Sequence, residues 1–168
     1  MEQAALAGLA GCTYIAPYVL ELRVHMEPGY IDPDPAFDVC RQAQMYYRHH
    51  GYNTKVLAAS LTDVEQLVKL AGIDHITISQ PLLEKLSTAQ DEEIVVRGKF
   101  VFQTFDEDIK NVPEEFKEKW EWVLDESKFR IAFTRRDKGR AEWKQIYAIN
   151  AFCEMQLALE KMIREFEH

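Results

Sequence analysis

A parallel α/β fold follows from two stretches of this 168-residue sequence. In KVLAASLTDVEQLVKLAGIDHITIS (55–79) an apolar run, Val56 to Ala59, leads into a helical segment with its own start signal. A second apolar run, Ile76 to Ile78, follows. Strand, helix and strand with short joints is the sequence form of a βαβ unit, which belongs to a parallel sheet with helices on its faces. The second observation is a weak internal repeat. LAGCTYIAPYVLEL (9–22) and LAGIDHITISQPLLEKL (70–86) both run helix end, glycine, strand, proline and apolar helix start, as units of a repeated (β/α) barrel do.

The elements follow in order. Residues 2–10 read as an Ala-rich helix, with Gly11 free to take the left-handed conformation after its end. Thr13–Tyr18 is a short strand that stops at Pro17, which has no N–H for a ladder. After a proline-rich loop, Asp34 is expected to cap a helix with Pro35 at its first position and Gly51 at its end. Strand 55–60 leads into a capping box between Thr62 and Glu65, and Leu67, Val68, Leu70 and Ala71 give that helix its apolar face before Gly72 ends it. Strand 75–79 comes next, and Pro81 opens a short helix to about Leu86. Residues 1–88 thus carry three βα units. From 89 to 112 the chain is charged, with one alternating stretch from Val96 to Phe105, and reads as an extension or lid-like hairpin. Helices are expected over 113–124 and 141–166. The latter has Trp143, Ile146, Ile149, Phe152, Leu159 and Ile163 at helical spacing, as for a helix packed outside a barrel.

Bulk properties narrow the function classes. A net charge of −8 and a pI of about 5.2 leave no broad basic surface, so nucleic acid is not an expected partner. Hydrophobic content of 47% with 29% charged residues suits one soluble domain. Cys12, Cys40 and Cys153 share no CxxC and fit buried, reduced thiols of a cytoplasmic protein. MEQAALAGLAGC superficially resembles a secretion leader, but its opening carries Glu2 and no Lys or Arg, and its apolar stretch is short. No run of about 18 apolar residues suggests a membrane span.

Four motifs, in order, resemble the C-terminal part of the transaldolase family: AGCTYIAPYVLEL (10–22), VLAASLT (56–62), AGIDHITISQPLLEKL (71–86) and FRIAF (129–133). The resemblance implies a C-terminal fragment of a (β/α)8 TIM-type barrel, its strands six to eight followed by terminal helices. A full barrel takes about 250 residues, so five strands would lie upstream of Met1. It further implies transfer of a dihydroxyacetone unit between sugar phosphates in the pentose phosphate pathway, through a Schiff-base lysine on strand four. That lysine and the proton-transferring Asp and Glu would also lie upstream, which leaves no catalytic residue, cofactor or metal in this chain. What remains is the substrate-clamping side. There Ser60 keeps the family's serine, and Arg23 stands two residues beyond a family arginine replaced by Leu20 and Glu21. Another family arginine is Thr62 and another serine is Ala16. Glu21 in such a place would repel phosphate.

Other candidates yield to plainer readings. Lys55 begins its strand, away from the strand ends where barrel chemistry sits, and Lys69 and Lys85 fall on helices. His49 and His50 read as cations at a helix C-terminus, and Asp32 and Asp34 as a turn and a cap rather than a calcium site. Arg135, Arg136, Lys138 and Arg140 read as a solvated loop, and Trp120, Trp122 and Trp143 as core or cover residues. Two functions result: a transaldolase-like protein inactive as this chain alone, or a non-catalytic barrel module that self-associates or pairs with a full-length partner. Thr13–Ala16 and His75–Ser79 would be open edges, and Ile15, Val56, Ala58, Ile76 and Ile78 would face an uncovered interior, which favours homo-oligomers.

Overall fold

Three short parallel strands position everything that follows. They are β1 (Tyr14–Ile15), β2 (Lys55–Ala58) and β3 (His75–Ile76), in the order β1-β2-β3. Tyr14 pairs with Lys55, Ile15 with Val56, Leu57 with His75 and Ala58 with Ile76. The computed structural model describes residues 1–88, 100–102 and 109–166, and the expected lid-like extension over 89–112 falls largely outside them. The three βα units are those expected of consecutive barrel strands. The strands are shorter than the sequence suggested, because Pro17 interrupts β1 and Ser60 leaves β2 with a left-handed φ of 64°. Pairing nevertheless continues past their ends through a Tyr18–Ala59 bridge and a Thr77 N–H donated to the Ala58 carbonyl at 2.8 Å.

In register, Ile15, Val56, Ala58 and Ile76 share one face of the sheet. Val56 and Ala58 are 0% exposed, and helices α1 (Glu2–Leu9) and α3 (Phe37–His50) lie against the sheet. The expectation that these residues face an uncovered interior is therefore reversed. The open face is the other one, with Tyr14, Leu57 and His75, where the Tyr14 and His75 rings meet edge-on at 5.2 Å. Period-2 alternation says which residues share a face, not which face the helices cover.

Helix α1 ends as expected, with Gly11 at φ 68° and the Cys12 N–H returning to the Ala7 carbonyl at 3.0 Å. Helix α3 starts later than expected, at Phe37 with Ala36 as its N-cap residue. Asp34 gives its own N–H to Asp32 at 2.8 Å, and the Ala36 N–H goes to the Val19 carbonyl at 2.7 Å, so residues 34–36 are held out of helical geometry. Asp32 is the turn-former, accepting from the amides of Glu21 and Asp34.

A polar brace ties α3 to the starts of β2 and β3. Gln44, 1% exposed, donates to the Gly72 carbonyl at 2.9 Å and accepts the Asp74 N–H at 2.8 Å. Asp74 in turn accepts from the Val56 amide at 3.1 Å and from Arg48 at 2.8 Å. Beside it lies an aromatic cluster of Tyr46, Tyr47, Tyr52, His50, Phe116 and Trp120. Trp120 gives its N–H to the Tyr46 hydroxyl at 2.8 Å and its indole N–H to the Glu115 carbonyl at 2.6 Å. Those bonds divide the helix expected over 113–124 into two 3-10 turns, Glu114–Phe116 and Glu121–Leu124. His50 does not stand at the helix end as a cation. Its Nε2 lies 2.9 Å from the Phe116 carbonyl, and burial lowers its pKa, so the neutral ring is the donor there. Of the cysteines only Cys40 is buried, where desolvation pushes its thiol up to about 12; Cys12 and Cys153 are exposed.

Residues Glu126–His168 form a second compact unit, separate from Met1–Asp125. Its described part holds α6 (Glu126–Arg135), which the sequence reading did not anticipate, and α7 (Arg140–Phe166). Asp137 and Lys138 between them take left-handed backbone angles, and this basic loop is exposed. No residue of α7 is buried, and Trp143, expected as core or cover, is 48% exposed. Among the described residues no helix is long and apolar enough to cross a membrane.

Candidate functional site

Barrel-type units place functional side chains at the C-terminal ends of their strands. Here the ends of β2 and β3 open into a concavity of about 350 Å³. Its polar lining is Ser60, Thr62, Thr77, Ser79, His25 and Lys85. Ser60 arrives from β2, Thr77 and Ser79 from the segment after β3, His25 from a short helix, α2 (Arg23–Met26), and Lys85 from α5 (Gln80–Thr88).

Ser60 is the centre of the arrangement. A positive φ in a residue other than glycine costs about 1 kcal/mol or more and marks a position that the surroundings over-determine. Its carbonyl accepts the Leu20 N–H at 3.2 Å and the adjacent Ala59 carbonyl accepts the Val19 N–H at 2.8 Å, which pins the turn. The turn carries the hydroxyl to within 2.8 Å of His25 Nε2.

Helix α4 (Val64–Lys69) starts beside it, one residue out of register with the expected box. Asp63, not Thr62, is the N-cap, with Oδ1 accepting the Gln66 N–H at 3.0 Å. Gln66 Oε1 reaches back to the Thr62 N–H at 2.9 Å, so Gln66 replaces Glu65 in the reciprocal pair. Asp63→Ala should therefore destabilise the chain by about 1 kcal/mol. Thr62→Ala should cost within about 0.5 kcal/mol, the range of surface substitutions. Chemical denaturation of the two variants checks the order, and a larger loss from Thr62→Ala would contradict it.

The second proposed binder, Arg23, is placed elsewhere. Its guanidinium forks onto Glu27 at 2.9 and 2.7 Å and lies 4.0 Å over the Tyr30 ring, outside the lining of the concavity. Glu21 is 7% exposed, and its carboxylate accepts a hydrogen bond from the Tyr30 hydroxyl. That bond, ahead of burial, raises the Tyr30 phenol above its ordinary pKa. Glu21 is thus occupied within the loop and is absent from the lining. Ala16 is exposed just beyond β1. Lys55 stands at the opposite end of its strand, 3.9 Å from Asp74, and the Lys69 ammonium lies 4.1 Å over the Phe37 ring. Lys85, set aside because it is helical, is the lysine that reaches the concavity.

His25, Thr77 and Ser79 went unnoticed in the sequence, and Lys85 was set aside there as helical. For Lys85 a signal existed: Leu82 and Lys85 are three apart on one helix face, so the buried Leu82 turns the Lys85 stem toward the strand ends. Among the described residues no cluster of three His, Cys, Asp or Glu side chains could hold a metal ion. The chemistry on offer is hydrogen-bond donation and one fixed positive charge, which suits an anion with several acceptor oxygens.

The family model described as Transaldolase/Fructose-6-phosphate aldolase matches residues 1–151. The chain is similar to a transaldolase of Buchnera aphidicola, 34% identical over 101 residues, covering 56% of this chain and 31% of that protein. It is also similar to a probable transaldolase of Dictyostelium discoideum, 30% identical over 169 residues, covering 97% of this chain and 49% of that protein. The chain thus spans about half the length, or less, of these curated relatives. With three parallel strands in barrel order and a match over most of its length, this chain belongs to the transaldolase/fructose-6-phosphate aldolase family.

Proposed function

We propose that this chain supplies the phosphate-receiving side of a transaldolase-type site, in which a dihydroxyacetone unit passes between sugar phosphates of the pentose phosphate pathway in the cytoplasm. Ser60 binds the phosphate, Arg23 orders the neighbouring loop through Glu27, and the Schiff-base nucleophile comes from outside the described residues. One observation carries this reading: a hydroxyl-lined concavity with a cation at the strand ends, and no carboxylate in its lining. The lysines support its second half. Lys55 starts a strand, the Lys69 ammonium lies over the Phe37 ring outside the lining of the concavity, and Lys85 is exposed. A Schiff-base lysine needs a desolvated or cation-flanked amine.

The test is a titration of the labelled chain with fructose 6-phosphate and with fructose, followed by amide NMR. Fructose 6-phosphate should move the Ser60, Thr62 and Thr77 resonances and fructose should not. A second reading, the non-catalytic module that self-associates or pairs with a full-length relative, is favoured by the exposed apolar length of α7, including Ile146, Ile149, Leu157 and Ile163. On that reading neither sugar moves these resonances and the chain runs as a dimer or larger species in light scattering.

A further inference from the structure

We infer that Lys85, with the Ser60 hydroxyl, grips the substrate phosphate in this chain, so that a lysine point charge does the work of a guanidinium. The inference rests on the reading of the concavity as a phosphate site.

Four observations converge on it. Lys85 is, among the described residues, the one lysine or arginine in the lining. Its ammonium has no ion-pair partner among those residues, and the neighbouring Glu84 carboxylate is taken by Gln80 Nε2 at 3.0 Å. An unpaired cation facing hydroxyls, with no carboxylate in the wall, leaves the concavity electrostatically open to an anion. The nearby loop offers no substitute, since the Arg23 charge is matched by the Glu27 fork and Glu21 carries the opposite sign.

The Ser60–His25 contact adds direction. At 2.8 Å one group must donate to the other. With an anion seated above Ser60, the Ser60 O–H points at the anion and His25 Nε2–H donates to Oγ. The strained turn fixes where that hydroxyl aims, while the flexible Lys85 stem follows the charge. A compact ammonium lacks the bidentate fork of arginine, so it reads charge more than orientation. Phosphates presented at different angles should bind within a narrow range of affinities.

Dissociation constants for fructose 6-phosphate and for inorganic phosphate test this on the intact chain and on Lys85→Gln and Lys85→Arg. Lys85→Gln should weaken both about tenfold or more, the scale of a lost charge-assisted hydrogen bond, and flatten the salt dependence. Lys85→Arg should stay within about threefold of the parent, because the charge is kept. The thermal midpoint of each variant should match the parent, since Lys85 is exposed. If the parent binds both ligands at the Ser60 and Thr77 amides and Lys85→Gln binds equally well, the role of Lys85 is overturned while the phosphate reading stands. If the parent binds neither ligand, both fall together.

Discussion

Replacing Asp74 with alanine should lower the unfolding free energy by about 2–3 kcal/mol, the scale of losing charge-assisted hydrogen bonds and leaving a buried donor unmet. The Asp74 side chain is 6% exposed and accepts from two elements at once, the Val56 amide of β2 and the Arg48 guanidinium of α3. Val56 is 0% exposed, so water cannot replace the lost acceptor. The Arg48 pair is the smaller part, because Arg48 is 47% exposed and solvent screens it. Asp74→Asn keeps one acceptor and should cost less than alanine. Urea denaturation of both variants checks the sequence of effects; an Asp74→Ala loss within about 0.5 kcal/mol, the surface range, would show that Asp74 does not brace β2 and α3.

Gly72→Ala should cost a similar amount, about 2–3 kcal/mol, from a left-handed backbone made worse by a clash. Gly72 has φ 107°, and a methyl there would stand 2.7 Å from Phe102 Cβ. A Cβ cannot rotate away, and its neighbour Val101 is tied by its N–H to the Lys69 carbonyl at 2.9 Å. Gly11 supplies the control. Its φ is also positive, at 68°, but nothing lies within 4 Å, so Gly11→Ala should cost only about 1 kcal/mol. Equal losses at the two positions would show that backbone strain alone sets both.

The order of strands and helices was legible because its signals are local. Gly11, Gly51 and Gly72 end helices where left-handed angles are needed, and Pro17 ends a strand for want of an N–H. What was misplaced depends on partners distant in sequence. The cap went to Asp63 because Gln66, not Glu65, could reach back. Residues 34–36 left the helix because Val19, far upstream, took the Ala36 amide. Residues 113–124 broke into short turns because Tyr46 and Glu115 took the Trp120 donors. At the site, Ser60 could be picked out through its motif and Lys85 through its spacing from Leu82, but His25 could not. His25 sits on a four-residue helix with no periodicity to read, and Lys85 on a helix whose orientation is set by where Leu82 is buried.

On the proposed function these residues receive a sugar phosphate but supply no nucleophile, with Lys85 a cation and not an amine. Borohydride reduction of the chain in the presence of fructose 6-phosphate, read by intact mass and peptide mapping, tests it most directly. The expected result is an unchanged mass under conditions where the NMR titration shows the ligand bound. A reduced three-carbon or six-carbon adduct on Lys85, or on any other lysine of this chain, would contradict it.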